Sequence, residues 1–177
     1  MPKDHFTSDL EAIRERARAK MMDGPVTGAY LADKNQVIDV LNEVLATEIV
    51  CTLRYKNHYY MASGINSQAA AAEFLEHAAQ EQEHVDQVAE RITQLGGNPN
   101  FNPDGLSTRS HAEYKNVDTL EMMIKEDLVA ERIAIETYSE IIRWLGNDDP
   151  TTRTLIESIL KVEEEHADDL VNLLQRM

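Results

Sequence analysis

The sequence carries one short motif twice: a glutamate followed three residues later by a histidine, at Glu81 and His84 and again at Glu163 and His166. Residues three apart lie on the same face of an α-helix, so each motif projects its carboxylate and imidazole together. Apolar residues recur at helical spacing on both sides of each motif, which places the pairs on faces that a fold buries. Any fold of this chain must therefore compensate two buried Glu-x-x-His pairs.

Four long helical patterns account for most of the 177 residues, among which Gly (7) and Pro (5) are scarce. Each pattern spans about 27 residues, or roughly 40 Å of helix. The predicted helices cover Asn35–Ala62, Ser67–Leu95, Val117–Leu145 and Pro150–Gln175. A polar connection over residues 96–116 separates the second from the third, which is long for a link between helices. The pattern predicts an all-α bundle with one long crossover.

Residues 1–33 are predicted to form an N-terminal arm, and residues 34–177 the bundle. The arm contains a short helical pattern over Ser8–Lys20, with Ser8 as its cap and Glu11 completing a capping box. Its basic residues are balanced by nearby acidic ones, which favours a solvated or subunit-packing helix over a DNA-binding arm.

Two further glutamates, Glu48 and Glu131, lie alone on the apolar faces of the first and third helices. Glu48 precedes Glu81 by 33 residues and Glu131 precedes Glu163 by 32, so two helical hairpins bring all four carboxylates to one level. Four buried glutamates repel each other, and two divalent cations cancel their charge. One glutamate from each of two helices, with Glu-x-x-His from the other two, is the di-metal carboxylate pattern of helical bundles.

The sequence leaves the roles of several residues near the six candidate ligands undecided. Tyr55 follows Glu48 by two helical turns and is either a functional partner of the ligands or a packing residue; Tyr138 follows Glu131 in the same way. Cys51 reads as a small buried hydrophobe rather than a redox group. His77 lies one turn before Glu81, which could bring it near the site, but a structural or solvated histidine is favoured. The acidic side chains expected at the surface are Glu76, Glu83, Glu90, Glu157, Glu164 and Glu165, and His58 and His111 have no predicted partner.

Charge and composition exclude several classes of function. The formal net charge of −15 opposes strong binding of the body of the protein to DNA or anionic lipid. The single cysteine rules out an internal disulfide framework or a four-cysteine metal site. No run of 18 apolar residues predicts a membrane span, and the N-terminus lacks a signal peptide's apolar core. We therefore expect a cytoplasmic protein.

Three stretches carry a family resemblance: EQEHVDQVAERITQLGGNPN on the second helix, DLVAE on the third and VEEEHADDL on the fourth. Together they resemble bacterioferritin and the wider ferritin and Dps-like family, over about residues 35–175. The resemblance implies a ferritin-like antiparallel four-helix bundle with an iron-oxidising ferroxidase centre. It implies these roles: Glu81 and Glu163 bridge two metal ions, Glu48 and His84 bind one, Glu131 and His166 bind the other, and Tyr55 and Asp127 match the family's tyrosine and aspartate.

Two features depart from bacterioferritin. The position after Glu81, where the family has its haem-ligating methionine, is Gln82, so no haem is expected. The fifth helix of 24-subunit cages is not expected, whereas an N-terminal arm is; both features are similar to Dps-type mini-ferritins, which form 12-subunit shells. We therefore expect a homo-oligomeric shell, a 12-mer rather than a 24-mer, with its metal site inside each bundle.

The expected function is oxidation of Fe2+ to Fe3+ by hydrogen peroxide or O2, with two iron ions per subunit and iron stored in the shell. Manganese or zinc are possible alternative metals. The alternative functions are a non-storing di-metal peroxidase or manganese catalase-like protein, and a DNA-binding mini-ferritin. The remaining interpretation of the sequence is a helical bundle with a purely structural role.

Overall fold

The computed structural model describes residues 7–64 and 67–177, and within these ranges the chain forms six helices and no strand. Their bounds are α1 Leu10–Ala19, α2 Lys34–Met61, α3 Ser67–Gln94, α4 Leu106–Arg109, α5 Leu120–Leu145 and α6 Pro150–Gln175. The all-α prediction is confirmed, and the four long helices agree with the predicted ones to within three residues at each end. The first six residues of the predicted arm lie outside the described residues.

Side-chain caps decide where three long helices begin. Asp33, Thr119 and Asp149 precede α2, α5 and α6, and each accepts backbone N–H groups of the first turn. Pro150 then occupies the first position of α6, where its missing N–H costs nothing. At the other end of α5, Gly146 has a φ of 51° and terminates the helix as predicted.

The cap predicted for α1 is wrong. The helix begins at Leu10, so Asp9 rather than Ser8 occupies the capping position, and its carboxylate accepts the N–H of Ala12 at 3.0 Å. Glu11 therefore completes no capping box. Helix α1 buries none of its side chains, whereas the end of the arm docks on the bundle, where the Tyr30 hydroxyl donates to Asp149 at 3.0 Å.

The four long helices pack as two hairpins, α2 with α3 and α5 with α6, which meet face to face. Contacts between the hairpins pair the early part of one helix with the late part of the other, so all neighbours are antiparallel. One apolar cluster fills one end of the bundle, and a second fills the other. The ionisable side chains lie between the two clusters in a polar layer.

The crossover between α3 and α5 runs along α2. The Asn42 side chain accepts the N–H of Asn100 at 2.8 Å, and the Thr47 hydroxyl accepts the N–H of His111 at 2.9 Å. The imidazole of His111 also contacts this hydroxyl at 2.9 Å, so this histidine has a structural partner. Ala112 of the crossover is buried in a cluster with Cys51 and Ala130. The long polar connection thus contains the one-turn helix α4 and is anchored to the bundle. No helix in the described ranges is long and apolar enough to cross a membrane.

Candidate metal centre

The polar layer collects ionisable side chains from each of the four long helices. The structure brings all six predicted ligands together there, with relative exposures between 1% and 4%: Glu48 from α2, Glu81 and His84 from α3, Glu131 from α5, and Glu163 and His166 from α6. The layer therefore holds four carboxyl groups and two imidazoles with almost no contact with solvent.

The first half of the layer is built around His84. Its Nδ1 lies 3.1 Å from Oε1 of Glu163, 3.2 Å from Oε2 of Glu48 and 3.3 Å from Oε2 of Glu81. These three carboxylates come from three different helices. One nitrogen and three oxygens thus converge on one small volume.

The second half is built in the same way around His166. Its Nδ1 lies 3.4 Å from Oε2 of Glu163, 3.6 Å from Oε1 of Glu81 and 3.9 Å from Oε2 of Glu131. Glu81 and Glu163 therefore turn one oxygen toward each histidine. This is the arrangement in which two carboxylates bridge two ions.

Five of the potential ligand atoms lack hydrogen-bond partners within the described ranges. Oε1 of Glu81, Oε2 of Glu131, both side-chain oxygens of Glu163 and Nδ1 of His166 are buried without a hydrogen bond to any described residue. An unpartnered buried polar group costs about 1–3 kcal/mol. Two sets of four ligand atoms, which share Glu81 and Glu163, each lie within 4.8 Å of one another. The residues present therefore fit a pair of divalent cations.

The carboxyl groups differ in acidity. Burial raises the pKa of Glu48 to about 8, and the charge of Glu81 adds to this rise. Burial also raises the pKa of Glu131 well above its usual value, with the charges of Glu163 and Glu81 adding. Burial and neighbouring carboxylates oppose ionisation of Glu81 and Glu163, but the close contacts with His166 and His84 outweigh them and lower the pKa of both.

The histidines are basic in the metal-free protein. Burial disfavours their charged forms, but contacts with the carboxylates, Glu163 foremost, raise the pKa of His166 to about 9 and that of His84 well above its usual value. Without metal, these shifts favour protonated forms of Glu48, Glu131 and the two histidines and ionised forms of Glu81 and Glu163. Two divalent cations are electrically equivalent to those four protons.

The two tyrosines contact the ligands in a crossed arrangement. Tyr55 of α2 donates its hydroxyl to Glu131 of α5, and Tyr138 of α5 donates to Glu48 of α2. The sequence places each tyrosine on the same helical face as the glutamate of its own helix, two turns away. The antiparallel packing of α2 and α5 instead brings it to the opposite glutamate, where it orients the carboxylate.

Asp127 lies one turn before Glu131 but contacts none of the six ligands. Its two oxygens bind Arg54 Nε and His58 Nδ1, each at 2.8 Å. All three side chains are buried, and His58 thereby gains the partner that the sequence did not suggest. Arg54 Nη2 also approaches the Cys51 sulfur at 3.6 Å. This network braces α2 against α5 beside the layer.

Sequence reasoning missed Gln80 and favoured a structural or solvated role for His77, and both residues lie behind His166. Gln80 accepts a hydrogen bond from its Nε2 at 2.7 Å, and the ring of His77 stacks on its imidazole with 3.9 Å between centroids. His77 is therefore neither solvated nor remote from the site. Burial, and then the charge of His166, lower the pKa of His77 to about 3. Its position one helical turn before Glu81 is the signal for the alternative that His77 lies near the site, and the structure agrees with that alternative.

Comparisons with known proteins agree with this geometry. Residues 38–177 match the family described as Ferritin-like domain, and the chain belongs to this family. Bacterioferritin from Desulfovibrio desulfuricans is 29% identical over 75% of this chain and 71% of its own length. A nutrient stress-induced DNA-binding protein from Synechococcus is 29% identical over 84% of this chain and 86% of its own length.

A solved structure extends the likeness to three dimensions. The dodecameric thioferritin of Bacteroides fragilis, described as a bacterioferritin-related protein, superposes with a TM-score of 0.79 at 29% identity. The match covers 82% of this chain and 88% of that one. The ferritin-like four-helix bundle predicted from the sequence is thus confirmed.

Proposed function

We propose that this protein oxidises Fe2+ to Fe3+ at the polar layer and stores the product inside a protein shell. The observation that carries the proposal is the pair of overlapping ligand sets, which share Glu81 and Glu163 and contain buried atoms with no other partner. Carboxylate-rich ligation suits the harder Fe3+ product, and the imidazoles complete each set. Iron is substrate here rather than a permanent cofactor.

The electron balance needs two Fe2+ ions for each oxidant molecule. Each ion loses one electron, and the two electrons reduce hydrogen peroxide, with two protons, to two water molecules. If O2 is the oxidant, the same two electrons and two protons yield hydrogen peroxide. Paired sites therefore match a two-electron oxidant, and the buried layer keeps other reductants from the reacting pair.

Glu131→Gln tests this proposal because it removes one ligand charge while keeping the side-chain volume and an acceptor for Tyr55. We expect rapid Fe2+ oxidation, followed by stopped-flow absorbance, to fall to the uncatalysed rate. Circular dichroism should show an intact helical fold. Glu136→Gln is the matched control, since Glu136 lies exposed on the same helix. Unchanged kinetics in Glu131→Gln would contradict the proposed site.

We infer that the shell contains twelve copies, because the thioferritin relative is dodecameric and matches most of both chains. Light scattering on iron-loaded protein tests this. A 24-mer would contradict the inferred shell size. A small oligomer that retains only two ions per chain would favour a non-storing peroxidase, with manganese as a candidate metal.

DNA coating, suggested by the name of one relative, is opposed by the net charge of −15. A gel-shift assay with DNA at physiological salt tests this alternative, because a DNA-coating protein would retard the DNA and an iron-storing shell without DNA affinity would not.

A further inference from the structure

A second cluster of potential ligands lies outside the six-residue layer. Glu73 and His77 are on α3, two turns and one turn before the layer respectively, and Asp169 is on α6, one turn after it. His77 Nε2 lies 3.8 Å from Oε2 of Glu73 and 3.7 Å from Oδ2 of Asp169. Ligand atoms from all three residues lie within 4.8 Å of one another.

The imidazole of His77 lacks hydrogen bonds although it is buried. Its side chain is only 2% exposed, and its Nδ1 has no partner among the residues that the structure describes. Its Nε2 faces the two carboxylates from beyond hydrogen-bonding distance. A buried imidazole aimed at two carboxylates without bonding either is poorly satisfied by the protein alone.

These distances suit ligands that share one ion. Metal–nitrogen and metal–oxygen bonds of about 2.1 Å separate neighbouring ligand atoms by about 3–4 Å, depending on the angle at the metal. The separations of 3.7 and 3.8 Å fall within that range. One imidazole and two carboxylates suit Fe2+, Mn2+ or Zn2+ and leave positions open for water.

The cluster connects solvent with the layer. The side chains of Glu73 and Asp169 are 36% and 51% exposed, whereas His77 stacks on His166 of the layer. Asp169 also borders a surface groove on α6 whose other lining residues include Glu164, Glu165 and Asp168. An acidic groove concentrates divalent cations at its surface.

We propose that Glu73, His77 and Asp169 form an auxiliary divalent-cation site at the solvent side of His166. Fe2+ occupies it before moving past His166 into the layer. The inference that a cation binds here depends on this cluster alone, whereas the role of the site as a staging position rests on the proposed function.

Zn2+ tests the site because it binds without being oxidised. Crystals of the metal-free full chain, soaked in Zn2+, should show two anomalous peaks in the layer and a third within about 2–2.5 Å of His77 Nε2. Asp169→Asn should lose the third peak and keep the other two. Asp168→Asn is the matched control, since it removes the same charge from the adjacent exposed position of α6, and it should keep all three.

The outcomes separate this inference from the proposed function. Two peaks in the layer without a third in the wild type overturn the auxiliary site and leave the layer intact. A third peak that persists in Asp169→Asn, or that also vanishes in Asp168→Asn, overturns it as well. Peaks absent from the layer instead contradict the proposed function.

Discussion

The two halves of the polar layer share the same kinds of ligand but differ in what lies behind them. The residue one turn before the bridging glutamate is His77 in α3 and Ile159 in α6. The residue three after the ligand histidine is Asp169 in α6 and Gln87 in α3. Ile159 belongs to an apolar cluster that also contains the neighbour of His84, Val85, whereas His77 stacks on His166.

The positions that the two halves share supply the candidate ligands, and the positions that differ lie behind His84 and His166. The half around His84 borders the apolar cluster that contains Val85 and Ile159. The half around His166 continues through Gln80 and His77 toward acidic surface groups. The two ligand sets thus differ in that the His166 set has the cluster of Glu73, His77 and Asp169 on its solvent side, from which we infer that cations enter.

The largest expected effect comes from a residue common to both halves. Glu163 turns one oxygen to each histidine, so Glu163→Gln weakens both ligand sets. We expect an anaerobic metal titration, read by elemental analysis, to show both ions of the layer lost. Glu48→Gln, which alters only the half around His84, should lose one.

The control for this prediction is Glu164→Gln, an exposed substitution at the next residue of α6, which should retain both ions. If Glu163→Gln and Glu48→Gln lost the same single ion, Glu163 would not bridge the two halves.

A second, smaller effect concerns the stability of the metal-free protein against pH. Folding raises the pKa of Glu48 to about 8 and that of His166 to about 9, so the folded state binds more protons than the unfolded state. The stability that these groups contribute is present at low pH and is lost as the pH rises through the folded pKa values. We expect the melting temperature of the metal-free protein to fall by several degrees, roughly, between pH 6 and pH 9.

Metal should remove this dependence, because bound cations replace the protons of the layer. The melting temperature of Zn2+-loaded protein should therefore stay level or rise over the same range, as ligand deprotonation strengthens binding. A metal-free protein whose melting temperature rises from pH 6 to pH 9 would contradict the proton-bound state of the layer.

The parts of the molecule that follow helical periodicity were predictable. Glu81 and His84 interrupt an apolar stripe at a fixed spacing, and 33 residues carry the chain from Glu48 to the same level of the next helix. Both facts depend only on local geometry and on a short turn. The four helices and the meeting of the six side chains therefore followed from the sequence, whereas metal binding by them stays a prediction.

Contacts between helices of different hairpins were not predictable in the same way. The partner of Tyr55 is Glu131 rather than Glu48, because the relative rotation of α2 and α5 decides which carboxylate each hydroxyl reaches. The joining of His77 with Asp169 depends likewise on how α3 meets α6. A single helical face does not contain this information.

The smallest expected effect tests the polar side of the layer directly. Gln80 accepts the Nε2 proton of His166 at 2.7 Å, which orients the ring so that Nδ1 faces the carboxylates. Removing such a partner of a ligand histidine costs about tenfold in metal affinity. Gln80→Ala should therefore weaken one ion of the layer and spare the other, which Zn2+ competition titration measures as two separated affinities.

Gln82→Ala is the matched control, since its side chain is exposed and bonds only Asp86 of its own helix. It should leave both affinities unchanged. An equal loss at both ions in Gln80→Ala would mean that the two halves respond as one unit, because the bridging carboxylates transmit the disturbance. A loss confined to one ion instead supports distinct surroundings for His84 and His166, and hence a layer that loads from one side.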